Sequence, residues 1–166
     1  MIADLPHRWI EIGVAALCVT VVATVGALLT EVGPWYESLR SPRWRPPNWL
    51  FGPAWGVIFI FIGSSGVLAW ERALDDAART WLIGLFALNG ALNVLWSGLF
   101  FKLRRPDWAL IEVVALWLSI LALVVCFAAF SPLAAILMSP YLFWVAFAGF
   151  LNLCVVRLNA PFGGRR

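Results

Sequence analysis

The sequence predicts an all-α integral membrane protein, a bundle of five transmembrane helices with a long Trp-, Pro- and Arg-rich lid between helices one and two. Three observations carry this. Only 13% of the 166 residues are charged, about half the share of a soluble domain, and the mean hydropathy is +0.89. The apolar residues gather in five runs close to the roughly 20 residues a helix needs to cross the hydrocarbon layer. Between the first two runs, "WYESLRSPRWRPPNWLFGPAW" (35–55) sets four tryptophans, four prolines and three arginines in 21 residues, a composition that no apolar helix requires.

The runs place helices at about 10–29, 50–70, 80–101, 108–130 and 132–156, with the lid at 30–49, in a single membrane domain over 1–166. The first run is uncharged from 12 to 29. Arg8 ahead of it suggests a secretory signal, but the run is too long for an h-region and no small-residue cleavage site follows. The second and third runs are separated by 71–79, with five charges in nine residues. The third and fourth are separated by "KLRRPD" (102–107), the fourth and fifth by the Ser131-Pro132 break. Connections this short make sequential helices antiparallel neighbours. The fourth run alone holds a charge, Glu112. It lies about 8 Å along the helix from Asp107 at 1.5 Å per residue, a depth at which a snorkelling or capped carboxylate is expected.

Five crossings put Arg8, Arg72 and Arg79 on one side. Arg40, Arg43, Arg45, Lys102, Arg104, Arg105, Arg157, Arg165 and Arg166 fall on the other. The positive-inside rule then sets the lid and the C-terminus in the cytoplasm, if the protein sits in an inner membrane. The net charge of +3 reflects this asymmetry, and no nucleic-acid partner is expected.

Much chemistry is missing. The single histidine, His7, precedes the first helix, so a haem held by axial histidines inside the bundle is not expected. There is no CxxCH, HExxH, phosphate-cradling glycine loop or Ser/His/Asp set. Cys18, Cys126 and Cys154 each sit within a run and suggest neither a disulfide framework nor a metal site. No cofactor is expected. Internal repeats of the kind found in secondary transporters are absent.

What remains inside the bundle is polar and aromatic. Asn89, Asn93 and Ser97 recur at spacings of four and share one helix face with Trp96 and Phe100 on the same side. Such a stripe points inward, either to bond a neighbouring helix or to line a cavity. Pro140, Trp144, Ala148 and Asn152 repeat the spacing in the fifth run, and an indole one turn from an alanine makes a ledge with space beneath it. Gly52 and Gly56 form a GxxxG, which suggests close packing or dimerisation. Of the eleven tryptophans, Trp9, Trp35, Trp70, Trp81 and Trp108 fall near helix ends, where indoles favour the membrane interface. Trp55, Trp96, Trp117 and Trp144 lie deeper and are candidates for a binding wall. In the lid, Pro42, Pro46 and Pro47 stiffen the path, and Trp44 and Trp49 can fold it onto an apolar surface. Arg40, Arg43 and Arg45 stay at the water boundary, where they can meet an anion, an aromatic face or lipid headgroups.

The lid, with "ALNVLWSGLFF", "DWALIEV" and "SPYLFWVAFAGFLN", resembles the tryptophan-rich sensory protein family, also called translocator protein or peripheral-type benzodiazepine receptor, from about Trp35 to Asn159. The resemblance implies a five-helix membrane protein, often a homodimer, that binds porphyrins such as protoporphyrin IX, and isoquinoline carboxamide or benzodiazepine ligands, beneath the first loop. By position, Trp55 and Trp144 match pocket tryptophans, and Asn89, Trp96, Trp108, Ala148 and Leu151 match pocket-lining positions. The lid residues Arg43, Arg45, Pro46, Pro47 and Trp49 would cover it. The implied role is tetrapyrrole sensor, carrier or regulator. The alternatives are light- and oxygen-dependent porphyrin degradation, with Trp55 and Trp144 taking part, and an interaction protein that regulates partners. Leu153 stands where animal members have the tyrosine of a cholesterol motif, between Leu151 and Arg157. That counts against cholesterol as a partner and favours a bacterial-type member.

Overall fold

The computed structural model describes residues 5–162; Arg165 and Arg166 of the charge asymmetry, and the side chain of His7, lie outside what it describes. The helices are α1 (Leu5–Leu29), α2 (Pro34–Ser38), α3 (Asn48–Arg72), α4 (Asp76–Ser97), α5 (Pro106–Phe130) and α6 (Pro132–Asn159). Five of them are long and apolar enough to span a bilayer, and α2 is a single turn inside the lid. The third span extends beyond α4 through a π-helical turn, Gly98–Lys102.

Local chemistry sets the ends. Proline opens α2, α5 and α6, where its missing N–H costs nothing. Asp75 caps α4 by accepting from the Ala78 amide at 2.7 Å. The turn into α5 contains Arg104 at φ 53, a left-handed conformation uncommon outside glycine, and its guanidinium lies 5.7 Å from the Trp35 ring.

α5 packs along α6 and α4, α3 packs along α6, and α1 lies across α3 and α4. The buried face of α5 runs Ala109, Val113, Leu116, Ile120, Leu123 and Phe127, the spacing of three and four that puts residues on one side of a helix. Close helix approach occurs at Gly90, where an added Cβ would come within 3.1 Å of Val22, and at Gly149, 3.4 Å from Val113. Gly52 and Gly56 are different: nothing lies within 4 Å of an added Cβ at either. Within the chain the GxxxG pair is therefore no helix contact.

Polar bonds fasten the interior, where packing and interhelical hydrogen bonds replace the hydrophobic drive. Ser65 donates to the Ala134 carbonyl at 2.8 Å, Asn89 to Ser119 at 2.8 Å, and Asn93 to the Tyr141 hydroxyl at 3.0 Å. Glu112 departs from the expected snorkelling or capped carboxylate. It is 9% exposed, and both oxygens are buried without a hydrogen-bond partner. The reason is angular: Glu112 follows Ala109 by three residues and precedes Leu116 by four, so it shares their inward face.

One end of the bundle gathers the lid, the 103–105 turn and the end of α6. Lys102 pairs with Glu31 across it, which holds the Glu31 carboxyl below its ordinary pKa. At the opposite end Arg8 pairs with Glu71 at 3.0 Å.

Candidate functional site

Beneath the lid lies a cavity of about 470 Å³, within the range of small-molecule sites. Its walls come from α1, α3, α4, the π turn and α6, with Val113 and Leu116 from α5. Trp55 and Trp144 meet edge to face with ring centres 6.4 Å apart, and Phe51 and Phe59 extend that wall at 5.8 Å from Trp144 and 5.4 Å from Trp55. On the α4 side Trp96 stacks on Phe100 at 5.1 Å. The π turn explains why the sequential pair Phe100 and Phe101 is buried together, ring centres 4.8 Å apart: the wider turn holds both inside. π turns often occur at functional sites.

The polar groups are few. Asn93 and Ser97 reach the cavity from α4, their side-chain oxygens facing Gly26 of α1. Asn152, 2% exposed, enters from α6. With its amide oriented by its surroundings, it donates to the Pro106 carbonyl and accepts from the Leu110 N–H, each at 3.1 Å, tying α6 to the first turn of α5.

The roof is Tyr36, Leu39, Ser41 and Arg45. It is fastened at several points. The Asn159 side chain pairs with the Arg40 main chain, accepting from its N–H and donating to its carbonyl, each at 2.8 Å. Trp44 stacks on Phe150 at 5.5 Å with ring planes 11° apart, and Tyr36 packs on Phe101 at 5.5 Å. Burial raises the Tyr36 pKa, opposed by the Arg45 charge.

Of the residues expected at the site, Trp55, Trp96, Trp144, Ala148, Leu151 and Arg45 come together on the cavity wall. Asn89 and Trp108 do not. Spacings of four advance a helix by 400° per step, so over eight residues the stripe from Asn89 to Ser97 rotates by about 80°. Asn89 consequently faces Ser119 of α5, while Asn93 and Ser97 face the cavity. Trp108 sits on the outer side of the first turn of α5, half-exposed, under the Arg105 guanidinium at 4.1 Å. In the lid, Arg43, Pro47 and Trp49 are exposed and Pro46 is half-buried, none of them on the cavity wall. Trp117 is also absent from the wall.

The residues missed include Tyr36, Leu39, Ser41, Asn48, Phe51, Phe59, Phe101 and the small α1 face Ala23, Gly26 and Ala27. In α1 no signal could have found them, since every residue of that run is apolar or small. Among the described residues no group of three or more His, Cys, Asp or Glu could hold a metal.

The model of the TspO/MBR family matches residues 14–158, which is most of the chain. The chain belongs to the TspO/MBR family. It is 37% identical over 146 residues to Protein CrtK of Rhodobacter capsulatus, covering 88% of this chain and 89% of that one. It is 38% identical over 134 residues to the human Translocator protein, covering 80% and 79%. It is 35% identical over 153 residues to Tryptophan-rich protein TspO of Chlorobaculum tepidum, covering 87% and 94%. In this member of the family the cavity lies under the lid, and its aromatic walls come from four separate segments of the chain.

Proposed function

We propose that this TspO/MBR-family protein binds a flat, apolar aromatic ligand of the porphyrin class, protoporphyrin IX being its type, and acts as a membrane sensor, carrier or regulator of tetrapyrroles. Isoquinoline carboxamide and benzodiazepine ligands would compete for the same space. The observation that carries this is the pairing of opposed aromatic walls, Trp55 with Trp144 and Trp96 with Phe100, around one roofed cavity. Flat rings gain most from such walls because offset and edge contacts are both available. A relative in Cereibacter sphaeroides, 34% identical over 137 residues, is named Tryptophan-rich sensory protein, and the human relative's name denotes a translocator; both names favour this reading.

The roofed end carries most of the basic residues, so we also read it as cytoplasmic. The binding test is a titration of the purified protein in lipid nanodiscs with protoporphyrin IX, read by tryptophan quenching. Saturable quenching at one ligand per chain, reversed by an isoquinoline carboxamide, is expected. Quenching that rises linearly, as free indole in the same discs would show, would reject the reading.

A further inference from the structure

Arg45 is the one charged side chain on the cavity wall among the described residues. It is half-buried and held on three sides by neutral groups. One terminal nitrogen donates to Ser41 at 3.0 Å, the other donates to Asn48 at the start of α3, and the guanidinium carbon lies 4.8 Å from the Tyr36 ring centre. Ser41, Asn48 and Tyr36 line the cavity too. A guanidinium has five N–H donors in a planar fork, so these two bonds leave donors free. No acidic side chain shares the wall, and Arg45 joins no ion pair among the described residues. A partly dehydrated cation without a counter-charge is a costly arrangement that an anion in the cavity would relieve.

The position adds a direction. Arg45 belongs to the roof, whereas the indoles of Trp55, Trp144 and Trp96 stand on the spanning helices below it. We propose that Arg45 makes the cavity selective for flat apolar molecules bearing a carboxylate at one edge, the rings lying between the indoles and the acid edge turned up to the guanidinium. Its fork matches a carboxylate in two-point geometry, and Ser41, Asn48 and Tyr36 fix it in advance, so little side-chain entropy remains to be lost. The inference rests on the ligand class proposed above and names the chemical feature that class must carry.

The test compares protoporphyrin IX with its dimethyl ester in phosphatidylcholine nanodiscs, each corrected for partition into empty discs. Wild-type protein should favour the diacid by about tenfold. Arg45→Gln should weaken the diacid by about tenfold and leave the ester within threefold, so that the preference disappears. Arg45→Lys, which keeps the charge without the fork, should fall between. Arg157→Gln, which removes an exposed charge at the same end, should keep the preference. Equal loss of diacid and ester in Arg45→Gln would overturn the proposal and leave Arg45 a purely structural brace of the roof. A wild type that binds both probes equally overturns it without any variant, which covers the case of an Arg45→Gln protein that does not fold. If neither probe binds wild type, the ligand class itself is wrong.

Discussion

Ala148 stands one turn after Trp144 and one turn before Asn152 on α6, and all three line the cavity. Replacing it by leucine adds three carbons into open space. In a helix the new side chain leans back toward the preceding turn, here onto Trp144, and so fills the ledge on which a ring would rest. An isobutyl group excludes about three to five ligand atoms, each worth about 0.3 kcal/mol for a ligand of drug size, giving about 0.9–1.5 kcal/mol. That is about five- to tenfold in affinity. The fold should survive, since leucine is a good helix former and the added volume enters a cavity of about 470 Å³ rather than a packed core. The assay is the protoporphyrin IX titration, with thermal unfolding of the ligand-free protein as the control. Unchanged affinity in an equally stable variant would show that the ligand does not reach Ala148, and the binding pose drawn from the Trp144 ledge would fall.

Ser119→Ala should cost about 1 kcal/mol, the middle of the range for interhelical bonds in membranes, because it strips the Asn89 amide of its acceptor. Porphyrin affinity should stay within twofold, and a larger loss would return Asn89 to the binding wall. Trp55→Phe and Trp144→Phe keep an apolar ring but remove an oxidisable indole. Affinity should hold within threefold, while under light in air porphyrin absorbance at equal occupancy should fade more slowly than with wild type; equal fading would exclude a chemical role for these indoles. For orientation, Ser38, exposed on the roof, can be changed to cysteine in a protein lacking Cys18, Cys126 and Cys154. An impermeant maleimide should leave it unlabelled on intact cells and label it after lysis, and strong labelling of intact cells would invert the assignment.

The five spans were legible in the sequence, because a bilayer leaves the backbone few solutions and charge-free length reports them directly. The packing order was not: α3 and α4, joined by a short connection and so expected as neighbours, each pack along α1 rather than along one another. Short, charged or proline-marked breaks at 71–79, 102–107 and Ser131-Pro132 fell where the helices end, and the lid announced itself by prolines that no spanning helix between apolar neighbours needs. The tertiary structure alone decided which side chains face the cavity. A spacing of four looks like a straight stripe in the sequence, yet it precesses round the helix, so Asn89 turned to α5 while Ser97 reached the cavity. Gly52 and Gly56 fit close packing or dimerisation in the sequence, yet within the chain they line the cavity and touch no helix. Glu112 fits a snorkelling or capped carboxylate, yet the inward face of α5 buries it without a partner. The π turn that buries Phe100 with Phe101, and the brace of Ser41, Asn48 and Tyr36 around Arg45, depend on groups brought together from separate segments. Periodicity along one helix carries no information about what the neighbouring helix presents.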